Sequence, residues 1–305
     1  MNKIQLGTSG LQVSQLALGC MRMNGLTADA AASVIATAVD NGVDFFDHAD
    51  IYGGGKSEEV FAAGIKQAGI PRDRIFLQTK CAIRQGYYDF SKAHILASVE
   101  GSLRRLGTDY VDVLLLHRPD ALMEPEEVAE AFDRLHQAGK VRFFGVSNHN
   151  PMQMELLAKY LHQPIIADQL QFSPVHTGMI DCGIHVNMKT EHSVLHDGLV
   201  LDYCRLKDIT IQPWSPFQHG MIEGVFLTNP AYEPVNQVLR RMAQEKGITD
   251  SAMVIAWILR HPAKMQPIVG TMNPQRIREL CRAFEVTVSR EEWYEVYRAA
   301  GNSLP

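Results

Sequence analysis

Four residues, Asp47, Tyr52, Lys80 and His117, stand at or just after the ends of short apolar runs, and together they could protonate a carbonyl oxygen. In FFDHADIYG a carboxylate at a strand end precedes a phenol in the following loop, so both can face one cavity. A phenol has an ordinary pKa of about 10, and a nearby Lys80 ammonium would favour its ionisation. Asp47 would keep Lys80 charged, and His117 would hydrogen-bond the substrate oxygen. We therefore predict an acid site that acts while a cofactor delivers hydride to the carbonyl carbon.

The same four residues also have structural interpretations. Tyr52 could anchor its loop, Asp47 and Lys80 could form an ordinary ion pair, and His117 could be a hydrogen-bonded histidine at a strand end. An aldolase with Lys80 as a Schiff base fits less well, because Lys80 is predicted beside both an acid and a phenol. Since no side chain supplies hydride, the reductive interpretation requires a nicotinamide cofactor.

The elements that would position these residues are eight short apolar runs that alternate with helix-like segments. The runs are QLALG (16–20), VDFFD (43–47), IFLQTK (75–80), VDVLLLH (111–117), VRFFGVS (141–147), PIIADQ (164–169), ITIQPW (209–214) and MQPIVG (265–270). Continuous apolar runs are typical of parallel strands that are buried on both faces. Eight such units predict an α/β fold, a single (β/α)₈ TIM barrel domain over residues 1–305, with an open doubly wound sheet as the alternative.

Polar residues and glycine stand at the ends of most of these runs, where a barrel would bring them to one mouth. Besides the four residues above, they are Ser147, Asn148, Gln169, Trp214, Ser215, Gly270 and Thr271. Two long loops, 171–196 after the sixth run and 215–234 after the seventh, should border the same mouth. Position alone therefore predicts one active site at the carboxyl ends of the strands.

Local signals predict where several other elements begin and end. Ser91 can cap a helix that ends at Gly107, and Pro125 begins another helix that ends at Gly139. The segment KIQLGTSGLQV predicts a small hairpin before the first barrel strand, and SREEWYEVYRAAG predicts a helix packed outside the barrel. The predicted barrel thus carries an N-terminal hairpin and an extra C-terminal helix.

Composition argues against several classes of protein and of partner. The 305 residues are 46% hydrophobic and carry 29 Lys and Arg against 34 Asp and Glu, without a basic cluster, so nucleic acid is not expected as a partner. No stretch is apolar over the length of a membrane span. Five scattered cysteines without a C-x-x-C pair predict reduced thiols in a cytoplasmic protein. His192 and His196 lack a third ligand, so no metal is predicted.

Common short motifs do not account for the site. The Rossmann fingerprint G-x-G-x-x-G is absent, and the glycines at 53–55 fail the P-loop pattern because its first glycine would fall on Asp50. We interpret these glycines as a turn before the next helix. Residues 145–149 lack the last glycine of a nucleophile elbow, so hydrolase chemistry at Ser147 is not expected.

Longer motifs carry a family resemblance that covers nearly the whole chain. They are GVDFFDHADIYGGGKSEEVFAAG, LGTDYVDVLLLHRPD, GVSNHNPMQMELL, WSPFQHGMI and PIVGTMNPQRIREL. In these segments the chain resembles the aldo-keto reductase superfamily, NADP-dependent barrel enzymes that reduce aldehydes and ketones, and it looks most like the bacterial YdhF-type branch. The resemblance implies an NADPH-dependent reductase of a small carbonyl substrate, with NADP(H) favoured over NAD(H).

The resemblance also implies a role for each matching residue. The family's catalytic tetrad falls on Asp47, Tyr52, Lys80 and His117, with Tyr52 as the general acid. Cofactor contacts fall on Ser147, Asn148 and Gln169 for the nicotinamide carboxamide, Trp214 for its ring, Ser215 to Gly220 with Phe217 for the pyrophosphate, and Gly270, Thr271, Asn273, Arg276 and Glu279 for the adenosine end.

Two departures from the family pattern bear on these roles. Gly270 and Thr271 replace a common Lys-Ser pair, which leaves Arg276 as the clear cation for the 2′-phosphate. His48 replaces a usual Thr and is expected to stand apart from the chemistry. Some proteins that resemble this family bind NADP and act mainly as regulatory subunits, so a redox-sensing binding protein with little turnover is the alternative hypothesis.

Overall fold

The computed structural model describes residues 1–304, in which strands and helices alternate as predicted. The strands are β1 (Lys3–Gln5), β2 (Gln12–Ser14), β3 (Ala17–Gly19), β4 (Phe45–Asp47), β5 (Phe76–Cys81), β6 (Ile83–Arg84), β7 (Tyr87–Tyr88), β8 (Val111–Leu116), β9 (Val141–Ser147), β10 (Ile165–Gln171), β11 (Thr210–Trp214), β12 (Gln218–His219), β13 (Gly224–Val225) and β14 (Ile268–Val269). The helices are α1 (Ala28–Asp40), α2 (Lys56–Ala68), α3 (Lys92–Leu106), α4 (Pro125–Gln137), α5 (Pro151–Ala158), α6 (Gly178–Ile184), α7 (Val200–Leu206), α8 (Glu233–Lys246), α9 (Asp250–Leu259), α10 (Pro274–Cys281) and α11 (Arg290–Ala299).

Eight parallel strands, one on each predicted run, form the barrel. They pair in the order β3, β4, β5, β8, β9, β10 and β11, and β14 pairs with β3 on its other side. Between β11 and β14 the Gln266 N–H donates to the Ile211 carbonyl over 3.0 Å, and this hydrogen bond joins the two ends of the sheet. The (β/α)₈ prediction is therefore confirmed, and the doubly wound alternative is wrong because the last strand returns to the first.

The predicted N-terminal hairpin closes the end of the barrel where the strands begin. β1 and β2 pair antiparallel with Ile4 opposite Val13, and both side chains are buried together with residues of the barrel interior. Gly7 has a φ of +52°, and a Cβ added there would lie 2.3 Å from the Ile166 carbonyl oxygen. Only glycine allows this close approach between the hairpin and β10.

Two of the outer helices begin and end at the residues that the sequence indicated. The Ser91 hydroxyl accepts a hydrogen bond from the His94 N–H at the start of α3, and Gly107 ends this helix with a φ of +63°. Pro125 is the first residue of α4, and Gly139 lies just beyond its end. Both helices bury their apolar faces, so local capping and periodicity were sufficient to predict them.

The extra C-terminal helix, α11, packs against α9 on the outside of the barrel. The rings of Trp257 and Trp293 stack with their centroids 4.9 Å apart, and Trp257 Nε1–H donates to the Trp293 carbonyl over 3.0 Å. Ser289 and Glu292 form a capping box at the start of α11. Within residues 1–304, no helix is both long and apolar enough to cross a lipid bilayer.

Candidate active site

A cavity of about 1100 Å³ opens at the carboxyl ends of the barrel strands. Most of the predicted site residues line it, namely Asp47, Tyr52, His117, Ser147, Asn148, Gln169, Trp214, Ser215, Phe217, Gly270, Thr271, Asn273, Arg276 and Glu279. Each of them ends a barrel strand or lies in the segment that follows one. Of the predicted residues, Lys80 lies behind Tyr52 and Gly220 lies away from the cavity.

Lys80 links Tyr52, the predicted acid, to the Asp47 carboxylate. Its fully buried ammonium donates to Asp47 Oδ2 over 2.7 Å, to Tyr52 Oη over 3.0 Å and to the His48 carbonyl over 2.8 Å. These three acceptors use all three N–H donors of the ammonium, which fixes its position. His48 thus touches the site through its main chain, contrary to the expectation that it stands apart.

Buried glutamines hold the Asp47 carboxylate through hydrogen bonds. Only one of them, Gln169, is predicted from the sequence. Asp47 Oδ1 accepts hydrogen bonds from Gln78 over 2.6 Å and from Gln169 over 3.1 Å. Gln212 exchanges hydrogen bonds with Gln78 and donates to Gln266 over 2.8 Å. A glutamine inside an otherwise apolar run is the sequence signal that could have indicated Gln78 and Gln212. With Lys80, they satisfy a carboxylate that is only 2% exposed.

The pKa values of Tyr52 and Lys80 both lie above their ordinary values, but for different reasons. Burial raises the pKa of the Tyr52 hydroxyl above its ordinary value, although the Lys80 ammonium acts to lower it. Burial alone would lower the pKa of Lys80, but Asp47 and Tyr52 raise it above its ordinary value. Burial therefore outweighs the ammonium at Tyr52, so at neutral pH the site holds a protonated phenol beside a charged amine.

His117 faces Tyr52 at the end of β8. The two rings lie edge to face with their centroids 6.0 Å apart. Burial lowers the pKa of His117 well below its ordinary value, and the positive charges of Lys80 and Arg118 lower it further. The imidazole is therefore neutral at pH 7 and keeps one N–H that can donate to a substrate oxygen.

Ser147, Asn148 and Trp214 form one hydrogen-bonded group at the ends of β9 and β11. Asn148 donates to the Ser147 hydroxyl over 2.7 Å, and the Trp214 indole N–H donates to the Asn148 side-chain oxygen over 3.2 Å. The backbones of Asn148 and Ser215 adopt positive φ values of +59° and +51°. Such a conformation costs about 1–3 kcal/mol outside glycine and often occurs at functional sites.

A second cation, missed by sequence analysis, lies at the far end of the cavity near Gly270. Arg22 follows β3, lines the cavity and donates to the Gly270 carbonyl over 3.1 Å. Asn273 caps α10 by accepting from the backbone N–H of Arg276 over 3.3 Å. Arg22 thus brings a positive charge to the place where Gly270 and Thr271 lack one. Its position after the first strand end is the signal that could have indicated it.

The loop 171–196 and Gly220 do not reach the cavity. None of residues 171–196, all of which the structure describes, lines it, so the expectation that this loop borders the mouth is wrong. The segment folds back as α6 against α11, where the Tyr297 hydroxyl donates to Asp181 over 2.7 Å. Gly220 turns outward, and its carbonyl accepts a hydrogen bond from Gln171 over 2.6 Å. The loop 215–234 does line the cavity as expected, through Phe217 and its neighbours.

Asp168 is a fully buried carboxyl group on β10, beside Gln169. In residues 1–304 neither of its carboxyl oxygens has a hydrogen-bond partner of normal geometry. Burial raises the pKa of Asp168 to about 8, although the nearby backbone N–H groups of His149 and Asn148 act to lower it. At pH 7 the folded protein therefore holds Asp168 protonated, whereas the unfolded chain ionises it.

This difference makes the stability of the protein depend on pH in a defined direction. From about pH 4 to pH 8 the unfolded chain releases the Asp168 proton and the folded protein keeps it. The free energy of unfolding therefore falls by up to about 1.4 kcal/mol for each pH unit. Asp168→Asn removes this loss. We expect its free energy of unfolding to exceed that of the wild type increasingly between pH 4 and pH 8, and by a constant amount above pH 8.

Urea unfolding at intervals from pH 4 to pH 9 measures this gap, the difference in free energy of unfolding between Asp168→Asn and the wild type. Asp109→Asn provides the control, because it removes one negative charge from a side chain that is exposed and not buried. A gap for Asp168→Asn that is independent of pH would contradict the assignment of a buried, protonated Asp168.

Comparisons with known proteins agree with this architecture. The aldo/keto reductase family model matches residues 3–300, and the chain belongs to this family of oxidoreductases. The 6-dehydroglucose reductase of Agrobacterium fabrum is 35% identical over 304 residues, which cover 95% of each chain. Oxidoreductase YdhF of Escherichia coli is 34% identical over 317 residues, which cover 99% of each chain, and this confirms the predicted YdhF-type branch.

A solved structure supports the fold as well. A thermostable aldo-keto reductase, determined in complex with the inhibitor epalrestat, matches with a TM-score of 0.78 and 25% sequence identity. The match covers 98% of this chain and 100% of that one. The barrel and its additional elements therefore follow the architecture of the family.

Proposed function

We propose that the protein is an NADPH-dependent reductase of small aldehydes or ketones, in which Tyr52 protonates the carbonyl oxygen. The observation that carries this proposal is the buried Lys80 ammonium, which lies 2.7 Å from Asp47 and 3.0 Å from the Tyr52 hydroxyl beside a large cavity. When bound, NADPH would supply a hydride to the carbonyl carbon. The chain itself has to hold the substrate oxygen and provide the proton.

The proton comes from the Tyr52 hydroxyl in this proposal. As the phenol gives up its proton, negative charge develops 3.0 Å from the Lys80 ammonium, in a site where little water screens the attraction. Asp47 keeps the ammonium in place and is itself held by two amide donors. The neutral His117 imidazole donates its N–H to the same substrate oxygen. The phenol is thus activated when its charge develops, although burial raises its pKa in the resting site.

The lining of the cavity fits a nicotinamide dinucleotide. Its volume of about 1100 Å³ is slightly above the roughly 300–1,000 Å³ found for small-ligand sites. At the catalytic end, Ser147, Asn148 and Gln169 offer hydrogen bonds that suit a carboxamide, and Trp214 offers a flat ring. At the other end, Arg22 and Arg276 supply positive charge that suits phosphate groups.

Arg276 and Arg22 favour NADP(H) over NAD(H) in this proposal, and a substitution at Arg276 tests the point. Arg276→Ala is expected to weaken NADPH binding by about 10- to 100-fold, the loss of a charged hydrogen bond. NADH binding should change much less, because NADH lacks the 2′-phosphate. Fluorescence titration with both nucleotides measures the two dissociation constants.

Arg278 provides a matched control for this experiment, because it is exposed on the same helix, α10, and does not line the cavity. Arg278→Ala should bind both nucleotides as the wild type does. Equal weakening of NADPH and NADH in Arg276→Ala would contradict a role at the 2′-phosphate.

Purified protein with NADPH and a panel of aldehydes and ketones tests the whole proposal. Oxidation of NADPH that depends on the carbonyl compound supports it. Tight NADPH binding without turnover on any member of the panel would contradict it and support the regulatory alternative. Trapping of a substrate on Lys80 by borohydride would instead support an aldolase.

The cellular setting and the type of substrate form part of the same proposal. The name of the Agrobacterium relative, 6-dehydroglucose reductase, describes reduction of a small carbonyl compound and supports that class of substrate here. All five cysteines are free thiols in the described structure, which supports a cytoplasmic location. No protein, nucleic acid or membrane partner is part of the proposal.

A further inference from the structure

Arg118 is a cation in the cavity that the proposed reaction does not use. It directly follows His117 at the end of β8, and its side chain lines the cavity. Its guanidinium lies 5.6 Å from the centre of the Trp214 ring. This position, between His117 and Trp214, is at the catalytic end of the cavity.

The acidic side chains that line the same cavity have other partners. Asp47 pairs with Lys80 over 2.7 Å. Asp250 accepts from the Ser251 N–H over 2.7 Å, and Glu279 accepts from Gln275 over 3.0 Å. None of the salt bridges within residues 1–304 involves Arg118. The guanidinium therefore meets the cavity without a counterion from the protein.

The proposed nucleotide does not account for Arg118. The cations assigned to its phosphates, Arg22 and Arg276, belong to the segments after β3 and β14. Arg118 instead adjoins the imidazole that would hold the substrate oxygen. A guanidinium in a cavity binds carboxylate and phosphate groups through paired, charged hydrogen bonds. An anion bound at Arg118 would lie beside the reacting carbonyl group.

We propose, as a refinement that rests on the proposed function, that the substrate is a carbonyl compound with an anionic group, which Arg118 binds. Tyr52 and His117 then hold the carbonyl oxygen, and the carboxylate or phosphate of the same molecule pairs with Arg118. The anionic group fixes the orientation of the substrate and is absent from simple aldehydes and neutral sugars.

Matched substrates that differ only in charge test this proposal. We expect the wild type to reduce 4-carboxybenzaldehyde with a kcat/KM about 10- to 100-fold higher than that for its methyl ester, the effect of one charged hydrogen bond. Arg118→Met should bring this ratio close to unity, and Arg118→Glu should invert it. Glyceraldehyde 3-phosphate against glyceraldehyde is the corresponding pair for phosphate.

Arg74 provides the charge-matched control, since it is exposed and precedes β5 at the opposite end of the barrel. Arg74→Met should keep the wild-type ratio. Binding gives a second measurement that needs no turnover. In calorimetry with the protein saturated with NADPH, which cannot oxidise an alcohol, 4-(hydroxymethyl)benzoate should bind at least about tenfold more weakly to Arg118→Met than to the wild type.

The outcomes separate this inference from the proposed function. If the wild type reduces each acid and its neutral partner equally well, or if the preference survives in Arg118→Met, the inference is wrong and the reductase proposal stands. If no aldehyde of either charge is reduced, the reductase proposal itself fails. Equal binding of the alcohol to wild type and Arg118→Met also overturns the role of Arg118.

Discussion

Tyr52→Phe is expected to lower kcat for carbonyl reduction by about 10³- to 10⁴-fold, the upper part of the range for general acid catalysis. The substitution removes only the hydroxyl that lies 3.0 Å from the Lys80 ammonium, and it leaves the ring in place. The developing alkoxide then loses the hydroxyl that protonates it and keeps only the hydrogen bond from the neutral His117 imidazole. Single-turnover measurement of NADPH oxidation, with the most reactive aldehyde of the panel, gives the rate of the chemical step.

Two controls show whether the loss arises at the chemical step. NADPH affinity should stay within a few-fold of the wild type, because the residues assigned to the nucleotide are intact. Tyr87→Phe removes the same hydroxyl group from an exposed tyrosine outside the cavity and should leave kcat unchanged. Retention of more than a tenth of wild-type kcat in Tyr52→Phe would remove Tyr52 as the acid.

Lys80→Met is expected to lower kcat by at least about 10²-fold, the lower end of the range for acid-base contributions. NADPH affinity should stay within a few-fold, because Lys80 does not line the cavity. The ammonium acts to lower the pKa of Tyr52, so its loss should move that pKa further upward. The pH profile of kcat/KM should then show its alkaline limb at higher pH than in the wild type.

Loss of stability is the main alternative cause of a defect in Lys80→Met. The substitution leaves Asp47 buried without its cation, and an uncompensated buried charge costs about 3–5 kcal/mol. The double variant Asp47→Asn/Lys80→Met removes both charges and should recover most of that stability. Its kcat should nevertheless remain at least about 10²-fold below that of the wild type. Recovery of activity together with stability would assign Lys80 a structural role alone.

The sequence predicted the barrel well because its signals are local. Continuous apolar runs indicate parallel strands, and caps such as Ser91 and Pro125 mark helix ends whatever the rest of the chain does. All eight barrel strands lie on the predicted runs. The path of a long loop has no such signal, and the loop 171–196 packs away from the cavity through contacts with α11.

Position at strand ends also predicted most of the residues that meet in the cavity. In a barrel of parallel strands, the end of every apolar run must reach the same mouth, so residue order alone brings Asp47, Lys80 and His117 together. Arg22 is not predicted in this way because the first run ends in Gly19 and Cys20, which carry no charge. Gln78 and Gln212 lie inside their runs and therefore give no signal at a strand end.

The sequence alone determined the order of the elements, the ends of several helices and most of the side chains at the mouth, because hydrophobic periodicity and capping act between neighbours in the chain. The tertiary structure alone decided which distant groups touch, as in the contacts of Gln78 with Asp47 and of Arg22 with Gly270. It also decided that burial raises the pKa of Tyr52 despite the adjacent ammonium. Contacts between distant residues and the loss of water around a charge depend on how the whole chain packs, and no local pattern encodes them.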